Sequence, residues 1–154
     1  MLSEKKMFRV LALDYGSKRI GLAISDELRM IARPFGFLDN TNRLQKDIIA
    51  MIEKENIGCI VLGLPRTLGG DDSAFTTQVR DFGEKLFSKL EKRSIQHYFF
   101  DERLTSVMAQ RNINEMGWSK TKREEKYRRD EEAARIILQE FLDQDRSATY
   151  SGSV

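Results

Sequence analysis

Apolar residues fall along the chain in short runs and helical stripes, separated by polar or glycine-containing turns. The first two runs, Val10–Leu13 and Ile20–Ile24, are rich in branched residues and flank a short polar turn. This arrangement predicts a β-hairpin, whose first strand is apolar at nearly every position and should be buried on both faces. A third strand is predicted at Ala32–Leu38, where Pro34 and Gly36 favour a position at the sheet edge.

Helical and strand periods then alternate, and they predict, in order, a helix, a strand, a helix, a strand and two helices. Their positions are 44–56, 59–62, 73–90, 95–100, 105–116 and 130–142. An antiparallel meander of three strands followed by parallel crossover strands predicts an α/β fold with a mixed five-stranded sheet flanked by helices. We expect a single domain over residues 7–145, mobile loops at 66–72 and 118–129, and a disordered tail at 146–154.

Composition narrows the class of protein without naming a partner. The 154 residues are 40% hydrophobic and 32% charged with a net charge of +2, as in many globular proteins. The single cysteine, Cys59, lies in an apolar run and is predicted to be a core residue rather than a nucleophile. No apolar stretch could span a bilayer, and the first residues lack the apolar region of a signal peptide. These features predict a cytoplasmic protein that does not bind membranes.

Acidic side chains stand where predicted strands end. Asp14 closes the first strand on the same face as Val10 and Ala12, and Glu102 follows the last strand. A carboxylate at the edge of a core needs a hydrogen-bond donor, a basic partner or a metal ion. Because sites form beyond the carboxyl ends of parallel strands, both acids are candidate site residues. A turn-capping role for Asp14 and an ion pair between Glu102 and Arg103 remain alternatives.

Asp130 is the third candidate acid. It precedes Ala134 and Ile137 at helical spacing, so it should lie on the inward face of the last helix. A helix-start acid favoured by the macrodipole is the alternative. Three converging carboxylates repel one another unless a cation compensates, and oxygen-only ligands favour Mg²⁺ or Mn²⁺. Two such ions, about 3.5–4 Å apart, would suit phosphodiester hydrolysis.

Four segments of the chain resemble, in the same order, the motifs of a known family. They are Leu13–Ala23, Val61–Pro65 with Gly70, Asp101–Ser106 and Asp130–Ala134. The sequence resembles the YqgF/RuvX family of the RNase H-like superfamily over residues 8–143, nearly the whole chain. The resemblance implies an RNase H-like fold.

The same resemblance implies catalysis and metal binding by Asp14, Glu102 and Asp130. It implies a nuclease that matures the 5′ end of pre-16S ribosomal RNA, or a Holliday junction resolvase by an older fold analogy. Basic residues near the three acids are candidates for binding nucleic-acid phosphates, and they are Lys18, Arg19, Arg66, Arg103, Arg128 and Arg129.

Other functions remain open at this point. The sequence Asp14–Ser17, with the glycine and alanine that follow it, also resembles the phosphate-binding turn of actin-like ATPases. Those proteins place a nucleotide between two copies of this fold, and this chain supplies one. A non-catalytic module that binds RNA is a third possibility. The choice between RNA and DNA, and between a monomer and a homodimer, stays open.

Overall fold

The computed structural model describes residues 7–67, 69–104, 106–107 and 123–152, with side chains described over 7–67, 69–103, 106–107 and 131–147. In this part of the chain, five strands form one sheet: β1 (Arg9–Asp14), β2 (Arg19–Ser25), β3 (Ala32–Asp39), β4 (Ile57–Leu64) and β5 (Gln96–Asp101). Three helices accompany it: α1 (Leu44–Lys54), α2 (Ala74–Glu91) and α3 (Arg123–Gly152).

The strands lie in the order β3-β2-β1-β4-β5. β2 is antiparallel to both of its neighbours, whereas β4 is parallel to β1 and β5. The predicted mixed sheet is therefore confirmed, with β3 at one edge. The carboxyl ends of β1, β4 and β5 share one edge of the sheet, which we call the carboxyl edge.

Each face of the sheet carries its own hydrophobic core. On one face, Leu11, Leu13 and Leu62 pack with the apolar stripes of α1 and α2. On the other, small residues such as Ala12 let Ala134 and Ile137 of α3 approach, and Cys59 is buried there. Burial raises the pKa of the Cys59 thiol, as expected of the predicted core residue.

The turn between β1 and β2 is tightly held at the carboxyl edge. A Cβ atom on Gly16 would stand 2.5 Å from the carbonyl oxygen of Arg19, so only glycine fits this turn. Asn40 ties the turn to the end of β3, because its backbone N–H donates to the Lys18 carbonyl at 2.9 Å and its side chain donates to the Gly16 carbonyl at 2.8 Å. The position at which β1 ends is therefore well fixed.

The start of α2 is also anchored to this edge. As predicted, Ser73 caps the helix: its hydroxyl accepts from the Thr76 N–H at 3.1 Å, and the Thr76 hydroxyl accepts from the Ser73 N–H at 3.1 Å. The Thr76 hydroxyl also donates to the Pro65 carbonyl, just beyond β4. The cap thus joins α2 to the segment that leaves β4.

Two boundaries differ from the sequence prediction. α3 begins at Arg123 rather than near Asp130, so 123–129, predicted as part of a loop, is helical. It also continues to Gly152, where a disordered tail from 146 was predicted. The chain has no glycine or proline between Gly117 and Gly152 to stop a helix, and Asp145 is buried. The predicted helix at 105–116 lies outside the described residues, apart from Ser106 and Val107. Within the described chain, no helix is apolar over a length that would cross a membrane.

Candidate active site

Asp14 is a buried carboxylate at the carboxyl edge. It is the last residue of β1, pairs with Gly21 of β2 and is 8% exposed. Alternation from Val10 and Ala12 turns its side chain toward the face covered by α3, as predicted. Because Leu13 pairs with Leu62, Asp14 stands level with Gly63 of β4.

Glu102 reaches the same place from the next strand but one. It directly follows β5, opens a short 3₁₀ turn and is 2% exposed. Its side chain occupies the space above Gly63, where an added Cβ would stand 2.5 Å from Glu102 Oε1 and 2.7 Å from Ile137 Cδ1. Neighbouring strands are about 4.8 Å apart, so the Glu102 carboxylate lies one strand from Asp14. Two buried carboxylates therefore meet at the carboxyl edge, with a glycine between them.

α3 brings the third candidate acid toward this edge. Gln139 bonds to the Ala32 N–H and the Met30 carbonyl at the start of β3, and Glu131 lies beside Gly36 farther along that strand. The helix therefore runs antiparallel to β1, and its N-terminal turns point to the carboxyl edge. Asp130 precedes the buried Ala134 by one turn on this helix.

The Asp130 side chain lies outside the described side chains, so its part in the site stays a prediction. Among the side chains that the structure describes, no three metal-ligating residues of the His, Cys, Asp and Glu types come together. Asp130 is the eighth residue of α3 and not its first. The macrodipole acts within the first turn of a helix, so it does not explain an acid at this position.

Arg103 pairs with Asp101, not with its neighbour Glu102. The Asp101 carboxylate accepts from Arg103 Nε at 2.8 and 3.0 Å, and its Oδ2 lies 2.7 Å from Arg103 Nη2. These hydrogen bonds hold the pKa of Asp101 below its usual value. The ion pair that the sequence allowed for Glu102 is thus formed by Asp101, a residue that sequence reasoning missed although it stands beside Glu102.

Arg66 pins the loop that follows β4. Its guanidinium bonds to Asp72 at 3.1 Å, lies 3.5 Å from Asp101 Oδ2 and donates to the Gly70 carbonyl. Gly70 has a positive φ of 87°, which favours glycine, and a Cβ there would stand 2.6 Å from Arg103 Nη1. The loop, predicted as flexible, is held by Arg66 and fits closely against Arg103.

The remaining candidate phosphate-binding residues divide into two groups. Lys18 is exposed in the β1–β2 turn, and Arg19 opens β2 with its guanidinium 5.9 Å from the centre of the Phe37 ring. The structure therefore brings both to the carboxyl edge. Arg128 and Arg129 lie in the N-terminal turns of α3, and their side chains are outside the described set. Binding of nucleic acid by these residues stays a prediction.

Comparison with known proteins places the chain among bacterial relatives of similar length. A protein of Porphyromonas gingivalis is 42% identical over 138 residues, covering 89% of this chain and 97% of the relative. A protein of Maridesulfovibrio salexigens is 38% identical over 137 residues, covering 87% and 97%. A protein of Roseiflexus sp. strain RS-1 is 40% identical over 141 residues, covering 90% and 96%. All three bear the name "Putative pre-16S rRNA nuclease".

Solved structures share the architecture at much lower identity. Thermus thermophilus RuvC in complex with a Holliday junction substrate has a TM-score of 0.54 at 9% identity, covering 90% of this chain and 96% of that one. The yeast mitochondrial Holliday junction resolvase Ydc2 has a TM-score of 0.51 at 15% identity, covering 89% and 78%. These likenesses confirm the RNase H-like fold. A family model described as "RuvX: Holliday junction resolvase" matches residues 8–144, and the chain therefore belongs to the RuvX family.

Proposed function

We propose that this protein is a divalent-metal-dependent nuclease that hydrolyses phosphodiester bonds in the maturation of the 5′ end of pre-16S rRNA. The observation that carries the proposal is the meeting of two buried carboxylates, Asp14 and Glu102, across Gly63. Carboxylates buried this deeply beside each other favour a function that uses their charge. The shared name of the bacterial relatives supports pre-16S rRNA as the substrate.

The residues at the carboxyl edge fit Mg²⁺ or Mn²⁺. Asp14 and Glu102 offer oxygen ligands, which hard divalent cations prefer, and Gly63 leaves the room that the Glu102 carboxylate occupies. We assign the third acidic position to Asp130, because α3 directs its N-terminal turns to this edge. When bound, the metal would supply Lewis acidity, lowering the pKa of water and stabilising negative charge on the leaving oxygen.

The protein's own side chains would hold the substrate in place. Lys18 and Arg19 on one side of Asp14, and Arg66 and Arg103 on the far side of Glu102, offer positive charge to the phosphates that flank the bond to be cut. The burial of Asp14 and Glu102 limits competing water around the reacting phosphate. In this arrangement the carboxylates act on one phosphate while the basic residues bind its neighbours.

A comparison of substrates tests the proposal directly. We expect the purified protein, with Mg²⁺ and then Mn²⁺, to cut an RNA that carries the 5′ leader of pre-16S rRNA, and to stop cutting when EDTA removes the metal. Analysis of the ends at single-nucleotide resolution would distinguish internal cleavage from trimming. Absence of metal-dependent cutting of any nucleic acid would favour a non-catalytic module.

Resolution of Holliday junctions is the second candidate function. The description of the matching family and the fold shared with two resolvases favour it. A synthetic four-way DNA junction should therefore be tested in the same assay. Symmetric cleavage of the junction, with the RNA leader left intact, would replace our proposal with this one.

The basic turns of α3 should contribute to affinity. Replacing Arg128 and Arg129 with Gln should weaken RNA binding and flatten the slope of log K against log salt by about one unit, given about 0.7 per phosphate contact with a single strand. Binding titrations at several salt concentrations would measure the slope. Arg146→Gln is a matched control, because Arg146 lies in the same helix far from the carboxyl edge and pairs with Asp143. An unchanged slope in the folded double variant would mean that these arginines do not bind phosphates.

A further inference from the structure

We propose that Asp101 is a positioning residue for phosphate recognition, which holds the Arg103 guanidinium where it binds a phosphate next to the one that is cut. This inference rests on the proposed nuclease function and adds to it a role for a residue outside the acidic triad. Its basis is the set of contacts around one carboxylate at the end of β5.

The Asp101 carboxylate binds both ends of Arg103. Oδ1 accepts from the Arg103 backbone N–H at 3.0 Å, and both oxygens accept from Nε of the same residue. Contacts to the backbone and to the guanidinium together restrict the side-chain torsions of Arg103. The Nε–Nη2 edge of the guanidinium faces Asp101, while Nη1 lies against Gly70. The long Arg103 side chain is therefore held in one orientation.

Stability alone does not account for this arrangement. The side chains of Asp101 and Arg103 are 36% and 28% exposed, and ion pairs at such positions contribute little to folding. Arg66 lies within reach of the same carboxylate, so two guanidiniums surround one acid and leave one net positive charge. A partly exposed, ordered cluster with excess positive charge suits the binding of an anion.

The cluster lies beside the buried carboxylates. Asp101 and Glu102 are consecutive, and their side chains turn to opposite sides of the carboxyl edge. Glu102 lies against Ile137 of α3, whereas Asp101 reaches Arg66, whose other partner Asp72 also binds Arg80 of α2. A nucleic-acid strand that crosses this edge would meet the carboxylates on one side and Arg103 on the other. The chemistry selects a phosphodiester backbone and not a particular base.

A double-mutant cycle tests whether Asp101 acts through Arg103. In the cleavage-deficient Asp14→Asn background, we expect Asp101→Asn to weaken binding of the single-stranded RNA leader about tenfold and to flatten the salt slope by about 0.7. Arg103→Gln should do the same, and the double variant should be no worse than either single variant. With Asp14 intact, kcat/KM for cleavage should fall by a similar factor in each variant.

Two further variants separate this role from a structural one. Asp72→Asn is the matched control, because Asp72 binds Arg66 and Arg80, and its effect should add to that of Arg103→Gln. Arg103→Lys keeps the charge but loses the two-point contact with Asp101, so it should reproduce the loss even if Asp101→Asn fails to fold.

Three results would overturn the inference: additive losses for Asp101→Asn and Arg103→Gln, wild-type affinity and slope in a folded Asp101→Asn variant, or tighter RNA binding in that variant. Tighter binding would mean that Asp101 competes with phosphate for Arg103. These outcomes are distinguishable from failure of the nuclease proposal, which would appear as full cleavage by the Asp14→Asn protein itself.

Discussion

Replacing Asp14 with Asn should reduce RNA cleavage by about 1,000-fold or more while changing RNA affinity by less than about threefold. The substitution keeps the size of the side chain and removes the negative charge that a divalent cation would neutralise. Phosphate contacts by basic residues supply most of the affinity for nucleic acid, and these remain in place. Single-turnover cleavage and equilibrium binding of the same RNA leader would measure the two effects separately.

Asp39→Asn is the matched control for this prediction. Asp39 ends β3 at the same edge of the sheet, but it is exposed and pairs through the backbone with Arg19. The control makes the same change of charge and should retain cleavage. If Asp14→Asn lost binding as severely as cleavage, or melted several degrees lower, Asp14 would have a structural role instead.

A methyl group at Gly63 should inactivate the protein without removing any functional side chain. The Cβ of Gly63→Ala would stand 2.5 Å from Glu102 Oε1 and 2.7 Å from Ile137 Cδ1, so the carboxylate and α3 must both move. A displacement of about 1 Å at a reacting centre can cost about 100-fold in rate, and we expect a loss of that size in kcat. Overpacking should also lower stability by about 1–3 kcal/mol, visible as a fall of several degrees in Tm.

Gly58→Ala provides the comparison within the same strand. A Cβ at Gly58 would stand 2.5 Å from the Phe8 ring, a similar clash at the opposite end of β4. We expect a comparable loss of Tm with kcat near the wild-type value at a temperature where both variants are folded. Equal loss of kcat in the two variants would show that strain in β4, and not the position of Glu102, causes the effect.

The parts of the fold that follow from periodicity could be predicted from sequence. Apolar runs identified the strands, and an acid directly after an apolar run located Asp14 and Glu102 at strand ends. The closeness of these two carboxylates depends on the order of the strands, which crossover rules made predictable. Gly63 itself carried a signal, since glycine within a strand often marks close approach of another group.

Other features depend on choices that spacing does not determine. Arg103 could have paired with either of the acids that precede it, and only the directions of the side chains at the end of β5 decide for Asp101. The start of α3 was misplaced because a run of charges was interpreted as a loop. Arg, Glu and Lys are good helix formers, so propensity would have favoured a helix from Arg123.

The place of α3 in the chain has a consequence for the order in which the molecule is made. This helix covers the β1, β2 and β3 face of the sheet, and Gln139 bonds to Ala32 across 107 residues of sequence. During synthesis, β1 to β5 emerge from the ribosome before α3 exists, leaving Val10, Ala12 and Val61 uncovered until the last residues appear. Contacts so distant in sequence form slowly. Closure of this core, and with it the approach of Asp130 to the carboxyl edge, is therefore the final step of folding.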